Sequence, residues 1–175
     1  TDLGGKVYEA GERALFIDPS HLHSHIVDAS LGQQGRFSSM FIPPLVAKLG
    51  KAVAPAPGGD KIGVRPLERH FDGLKAMGIH VTQKDGLYIA EAPAGLSGTT
   101  YRFEKNTHTG TETLILAAVL ARGKTILENA AEEPEIDDLI AFINQMGGRI
   151  RRRAHRVIEI DGVSALHGAI HKLMP

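Results

Sequence analysis

The sequence predicts a mixed α/β fold of the α+β class, and three observations carry that expectation. Segments with strand and helix signatures interleave along all 175 residues, with hairpins interrupting the alternation. The 20 Gly residues, with aromatics at only 5% and no Trp, call for many short elements joined by tight turns. The chain also repeats itself. "LGGKVYEAGERALFID" (Leu3 to Asp18) aligns without a gap on "MGGRIRRRAHRVIEID" (Met146 to Asp161). Gly4 falls on Gly147, Gly5 on Gly148, Arg13 on Arg156, Ile17 on Ile160 and Asp18 on Asp161. A looser copy begins at Ala76. The repeat predicts a unit of roughly 70 residues, present twice in full and once as its tail.

In chain order, Lys6 to Glu9 and Ala14 to Asp18 read as two short strands around Gly11. A polar stretch with three His follows, from Pro19 to Gln34. The next pattern predicts a helix over 36–49 that stops at Gly50, with Pro43-Pro44 calling for a kink or an early break. Val53 opens a strand that ends in the turn Pro57-Gly58-Gly59. Pro66, a favoured first helical residue, starts a helix that ends at Gly78, and Leu67, Phe71, Leu74 and Met77 have helical spacing. A hairpin follows, Ile79 to Thr82 and Leu87 to Glu91, turning at Lys84-Asp85-Gly86. Beyond it come a strand (100–103), a helix (111–121), a strand (125–128) and a helix from Pro134 to Gly147. Ile150 and Val157 to Ile160 form a hairpin, and Ala169 to Leu173 a last strand.

Composition excludes several functions. With no Cys there is no disulfide framework, thiolate metal site or cysteine nucleophile. Lys plus Arg equals Asp plus Glu, so the formal net charge is zero, unlike a general nucleic-acid coat or a membrane-surface domain. No apolar run is long enough for a membrane span, and no signal peptide opens the chain. "HLHSH" (His21, His23, His25) reads as an exposed polar loop rather than a metal site, because no further ligand is fixed nearby by spacing. "RIRRRAHR" (Arg149 to Arg156) reads as a solvated hairpin face rather than a nucleic-acid contact, since no aromatic interleaves it.

The chemistry concentrates in "PAPGGDKIGVRPLERHFDGLKAMG" (Pro55 to Gly78). Gly58 and Gly59 let the backbone approach a ligand closely, and a helix begins just beyond. Free N–H groups and the positive dipole end at a helix start favour an anion. Lys61 and Arg65 place two cations there, and Asp60 is the lone carboxylate of the loop, which on its residues alone is an ordinary helix cap.

The wording of this stretch resembles the active-site loop of the enolpyruvyl transferases, in the branch that works on UDP-N-acetylglucosamine. That loop reads Gly-Gly, usually Cys, any residue, Ile-Gly, any residue, Arg-Pro, then a helix with a His. A second match is "TGTETLILAAVLARGKTILENAAEEPEIDDLIAFINQMGG" (Thr109 to Gly148), and a third is "GRFSSMFIPPLVAKLG" (Gly35 to Gly50). Together the matches cover nearly the whole chain. The resemblance implies lobes of three βαβαββ units. Residues 1–18 are then the tail of one unit, about 19–103 a second and about 104–175 a third, cut from a longer polypeptide. Thr1 in place of an initiator Met fits that expectation.

The resemblance further implies transfer of the enolpyruvyl group of phosphoenolpyruvate to the 3′-hydroxyl of UDP-N-acetylglucosamine, with release of phosphate. That is a cytoplasmic step of peptidoglycan synthesis, tied to cell shape and division, with no cofactor and no metal. Its partners are those two substrates and the remainder of its own chain, with neither nucleic acid nor membrane. Asp60 stands at the acid position usually held by Cys, and a carboxylic acid can also deliver a proton. Lys61, Arg65 and the helix start would lower the Asp60 pKa, while bound anionic phosphoenolpyruvate would counter them. Arg36 and Arg65 suit phosphate or carboxylate. Pro66, Leu67, Glu68 and Arg69 fall on the nucleotide-contacting turn, and His70 on the family's His, with a packed core His as the alternative. Lys105, Asn106, Thr107 and His108 fall on a second nucleotide-contacting loop, with Thr109 and Gly110 as candidate helix caps. A carboxylate is a poorer nucleophile than a thiolate, so Asp60 also implies resistance to the epoxide fosfomycin, which alkylates the Cys.

Overall fold

The computed structural model of the chain describes residues 2–32, 36–56 and 67–174. The first hairpin is β1 (Lys6–Glu9) with β2 (Leu15–Asp18). A one-turn helix α1 (Ala29–Gly32), a 3₁₀ segment (Arg36–Phe41) and helix α2 (Ile42–Leu49) lead into β3 (Lys51–Pro55). Helix α3 (Glu68–Ala76) is followed by the hairpin β4 (His80–Lys84) and β5 (Leu87–Glu91). Then come β6 (Thr100–Arg102), α4 (His108–Ala118), β7 (Lys124–Glu128), α5 (Pro134–Gln145), β8 (Ile150–Ala154) and β9 (Val157–Asp161).

The two larger sheets follow one wiring scheme. In the last sheet the order is β6-β7-β9-β8: β6 is parallel to β7, and the β8–β9 hairpin adds antiparallel through β9. In the middle sheet the order is β3-β5-β4, and a single parallel bridge from Ile26 to Val53 stands where β6 stands in the other. The third sheet is the β1–β2 hairpin alone. This is the mixed α/β arrangement that the repeat predicts, and its unit has the strand–helix–strand–helix–hairpin order.

A backbone lock recurs three times. Leu3 C=O accepts from His23 N–H at 3.0 Å, Met77 C=O from Ser97 N–H at 3.0 Å, and Met146 C=O from His167 N–H at 2.9 Å. After each of those carbonyls comes a glycine at positive φ: Gly4 at 98°, Gly78 at 93° and Gly147 at 92°. The left-handed conformation ends the preceding turn and is open to Gly without strain. The Leu-Gly, Met-Gly and Met-Gly pairs of the three copies are therefore conformational signals.

Helix α4 is the centre of the molecule. Leu114, Ile115, Ala117 and Ala118 are fully buried, and α4 packs against α2, α3, α5, β7 and β9. Apart from Thr109 in the first turn, only the stripe of His108, Glu112 and Leu116 stays partly exposed, as expected of a helix that neighbours largely surround. Two buried hydroxyls inside it are satisfied: Thr111 Oγ1 donates to Thr107 C=O at 2.8 Å and accepts from Ala131 N–H at 3.0 Å, and Thr113 Oγ1 donates to Thr109 C=O at 2.7 Å. Gly73 of α3 is where the two helices meet, because a Cβ there would lie 2.8 Å from Leu114 Cδ2.

Four sequence expectations need correction. The helix over 36–49 is a 3₁₀ segment followed by α2, and Pro43-Pro44 sit in the first turn of α2, where a missing N–H costs nothing. Helix α4 starts at His108, and its cap is Thr107, whose Oγ1 accepts from Gly110 N–H at 3.3 Å; Thr109 and Gly110 lie inside the first turn. Residues 169–173 form no strand: they pair with nothing in a ladder, and Ile170 is 99% exposed. The arginine-rich hairpin is not simply solvated. Arg151 and Arg153 converge on Glu159, which is 3% exposed and also holds Lys124 Nζ at 2.6 Å. Arg152 Nε reaches Asp137 at 2.6 Å, and His155 and Arg156 reach Glu132.

The bond from Lys124, with Arg151 and Arg153 beside it, holds Glu159 below the usual carboxylate range, and Lys124 is correspondingly raised, chiefly by Glu159. A depressed carboxylate contributes stability above its unfolded pKa and loses it as pH falls through the folded value. Glu159→Gln should therefore lower the unfolding midpoint at pH 7, with the gap to the parent chain closing as pH is lowered below about 4. Urea unfolding from pH 3 to 8 checks this, and a gap independent of pH would refute it.

Candidate nucleotide and phosphate site

Two elements that flank the expected loops touch α4: the 3₁₀ segment, and α3 through His70. The 3₁₀ segment that begins at Arg36 contacts both β3 and α4. Its buried Ser38 donates from Oγ to Pro55 C=O at 3.3 Å, at the end of β3. Ala56 N–H donates to Gly86 C=O at 2.9 Å, which pins the exit of β3 to the β4–β5 turn. Beyond the Gly-rich loop the chain returns at Leu67, which is 6% exposed and whose carbonyl accepts from the N–H groups of His70 and Phe71.

His70 joins this region to the next. It is 7% exposed, and its Nε2 lies 3.1 Å from Thr109 Oγ1 in the first turn of α4. His70 thus touches the second loop from within the protein, as the packed-His alternative expects. Sequence reading assigns Thr109 a capping role and misses the pairing. Its signal was the Thr-Gly-Thr-Glu run that opens α4.

On the loop between β6 and α4, Lys105 and Asn106 are exposed, and Asn106 Nδ2 approaches Asn129 C=O at 3.5 Å. The Thr107 hydroxyl is engaged as the helix cap. His108 Nδ1 is 3.9 Å from Glu112 Oε2, one helical turn along. Burial pushes the Glu112 carboxyl up, and the like charge of Glu135 adds to the rise, while His108 opposes it. Glu112 is a titratable neighbour of the loop that sequence reading had not singled out.

Among the other expected residues, Asp60, Arg65 and Pro66 lie outside the described residues. For Arg36, Glu68 and Arg69 the backbone is described: Arg36 opens the 3₁₀ segment, and Glu68 and Arg69 open α3. His21, His23 and His25 lie on the irregular segment between β2 and the Ile26 bridge, and two of them serve the backbone: His23 N–H bonds Leu3 C=O, and His25 C=O accepts from Val53 N–H at 2.8 Å. No helix among the described residues is long and apolar enough to cross a membrane.

Sheet-and-hairpin units that share one wiring scheme and pack on a common helix define a repeat-built protein of the mixed α/β class. The family model for EPSP synthase (3-phosphoshikimate 1-carboxyvinyltransferase) matches residues 1–175, and the chain belongs to that family. Among its relatives, a UDP-N-acetylglucosamine 1-carboxyvinyltransferase of Ruegeria pomeroyi is 39% identical over 173 residues, 98% of this chain and 41% of that protein. One of Idiomarina loihiensis is 41% identical over 173 residues, 99% of this chain and 41% of that protein. The chain therefore spans about two fifths of the length of the curated relatives it matches. The fold matches the enolpyruvyl transferase NikO from Streptomyces tendae with a TM-score of 0.79 at 20% identity, over 95% of this chain and 39% of that one. EPSP synthase from Acinetobacter baumannii follows at 0.71 and 17% identity, over 95% and 38% of the two chains.

The bond between His70 and Thr109 should show as coupling. Substituting His70→Ala and Thr109→Val, singly and together, should give an interaction energy of about 0.5–1.5 kcal/mol in urea unfolding, with Thr109→Ser keeping most of it. Additive single effects would mean that the two side chains act independently.

Proposed function

We propose that these residues are the loop-bearing part of a transferase that moves the enolpyruvyl group of phosphoenolpyruvate to the 3′-hydroxyl of UDP-N-acetylglucosamine and releases phosphate. The observation that supports this reading is that the 3₁₀ segment opened by Arg36 contacts the end of β3 and α4, while His70 of α3 contacts the first turn of α4 beside the Lys105 loop. The identity to carboxyvinyltransferases over nearly the whole chain supplies the substrates.

In this reaction the sugar hydroxyl gives up its proton to a base as its oxygen bonds to C2 of phosphoenolpyruvate, while a general acid delivers a proton to the methylene carbon. A proton then leaves the resulting methyl group, the C2–O bond to phosphate breaks, and the enol ether and phosphate remain. Asp60, standing where the family usually has Cys, delivers the proton. Arg36 and Arg65 hold the phosphate and carboxylate of phosphoenolpyruvate through forked guanidinium contacts. The turn of Pro66, Leu67, Glu68 and Arg69, together with Lys105, Asn106 and His108, borders the nucleotide. Leu67 and Thr107 contribute there through backbone, since the Leu67 side chain is buried and the Thr107 hydroxyl caps α4. His70 holds Thr109 in place from behind.

The same reading makes the protein cytoplasmic and part of peptidoglycan synthesis, with residues about 19–103 and 104–175 as two units of one lobe. In the family the reaction takes place between two lobes, so the isolated chain is expected to bind the nucleotide sugar with little or no turnover. A nucleotide-sugar-binding module without chemistry is the second reading, favoured for the isolated chain because it spans only two fifths of its relatives.

Titration calorimetry with UDP-N-acetylglucosamine tests the substrate assignment. Binding that weakens at least about tenfold in Arg65→Ala is expected, from the loss of charge-assisted hydrogen bonds. No heat with the parent chain, or an unchanged affinity in the variant, would refute it. Incubation with fosfomycin should leave the intact mass unchanged, whereas an adduct on Asp60 would show that the carboxylate replaces the thiol as a nucleophile.

A further inference from the structure

The short loop that leaves β6 is held from behind by the connection between β7 and α5. Its entry is Phe103, 1% exposed, whose N–H donates to Glu128 C=O at 3.0 Å, one step past the last β6–β7 pair, Arg102 with Glu128. The next rung comes from a side chain: Asn129 Nδ2 donates to Phe103 C=O at 2.9 Å. The exit of the loop is the Thr107 cap. There Ala131 N–H donates to Thr111 Oγ1 at 3.0 Å, and the same hydroxyl donates to Thr107 C=O at 2.8 Å. Between those two fastened ends lie Glu104, Lys105 and Asn106, all exposed, and Asn106 Nδ2 approaches Asn129 C=O at 3.5 Å.

The connection is itself fastened on its far side by the β8–β9 hairpin. Ala130 N–H donates to Arg156 C=O at 3.0 Å, Arg152 Nη1 to Ala131 C=O at 3.1 Å, and Arg156 Nη1 to Asn129 Oδ1 at 3.4 Å. Asn129 suits this place for two reasons. Its φ is 55°, in the left-handed region that Asn tolerates better than most side chains. Its carboxamide carries both a donor and an acceptor, and each has a taker: the Phe103 carbonyl needs the NH₂, and the Arg156 guanidinium needs the oxygen. A glycine would keep the backbone and lose both bonds. An aspartate would keep the oxygen for Arg156 and set an acceptor against the Phe103 carbonyl.

We propose that Asn129 is a positioning residue for the nucleotide sugar: it fixes the 104–107 loop so that Lys105 meets the ligand's phosphates in one arrangement. This rests on the reading of that loop as a nucleotide contact. Lys105 is a single charge on a long flexible stem, so the backbone beneath it decides where the ammonium can reach. An exposed loop loses freedom on binding, and a loop already fastened at both ends has less to lose. Asn129 thereby acts on affinity without touching the ligand.

Titration calorimetry with UDP-N-acetylglucosamine, paired with urea unfolding of each variant, tests this role. Asn129→Gly should weaken binding at least about threefold, as should Asn129→Asp, which carries the test if the glycine variant does not fold. Asn144→Ala is the control for stability alone. The Asn144 carboxamide clamps the Ile150 backbone at 2.8 and 2.9 Å, and its loss should lower the unfolding midpoint with the affinity unchanged. The amide resonances of Lys105 and Asn106 should shift in the Asn129 variants and stay in place in Asn144→Ala. Unchanged affinity in the Asn129 variants would overturn the inference and leave the substrate reading standing, as would an equal loss of affinity in Asn144→Ala. A parent chain that gives no heat would overturn the substrate reading and this inference with it.

Discussion

The burial of α4 is the constraint on which the remaining packing rests. A helix with Leu114, Ile115, Ala117 and Ala118 all removed from water needs partners around most of its circumference, and beyond Thr109 only the stripe of His108, Glu112 and Leu116 stays partly open. On one side these are α2 and α3 from the middle sheet, and on the other α5, β7 and β9 from its own. Burying apolar side chains is worth on the order of 1.5–3 kcal/mol for each large residue. One helix therefore ties the two sheets into a single core. The polar groups inside it follow the same logic, since Thr111 and Thr113 turn their hydroxyls back onto carbonyls of the preceding turn.

The sheets face away from α4, and their outward surface is organised by charge. Glu159 is the centre of that surface: it is nearly inaccessible, and Lys124, Arg151 and Arg153 reach it from neighbouring strands. A carboxylate removed from water needs such partners. The arginine-rich hairpin is partly neutralised by Glu159, Asp137 and Glu132, although Arg151 and Arg153 keep most of their surface in solvent. Sequence alone places five arginines on a hairpin but cannot pair them, because Glu132 and Asp137 lie on the turn and helix before it and become neighbours only through packing.

Local signals carried most of the fold. The Gly after each Leu or Met at the unit ends, the Asp85-Gly86 turn and the Pro at the start of α5 each fix a backbone conformation through one or two residues, and such signals are legible in sequence. The failures lie where a partner decides. Residues 169–173 read as a last strand, but a strand is stabilised by a ladder, and here none is paired. The start of α4 was placed three residues late because two threonines compete for the cap, and tertiary contact of Thr109 with His70 resolves the choice. The candidate site divides in the same way. The Gly-rich loop and its cations are sequence features, whereas the link from His70 to Thr109 belongs to the packing of α3 on α4.

The placement of charge along the chain also follows from topology. A strand followed by a helix delivers the helix start to the end of the strand, where free N–H groups favour an anion. The chain makes this connection four times: from Ile26 into α1 and the 3₁₀ segment, from β3 into α3, from β6 into α4, and from β7 into α5. The first three carry Arg36, Lys61 with Arg65, and Lys105. The fourth carries Glu132, Glu133, Glu135 and Asp137, the opposite choice. Those carboxylates gain from the helix start themselves and are then matched by Arg152, His155 and Arg156 of the following hairpin. A helix start already neutralised from within has nothing left to offer a phosphate. The connection into α5 is thus the acidic one of the set, and its charge is matched within the fold.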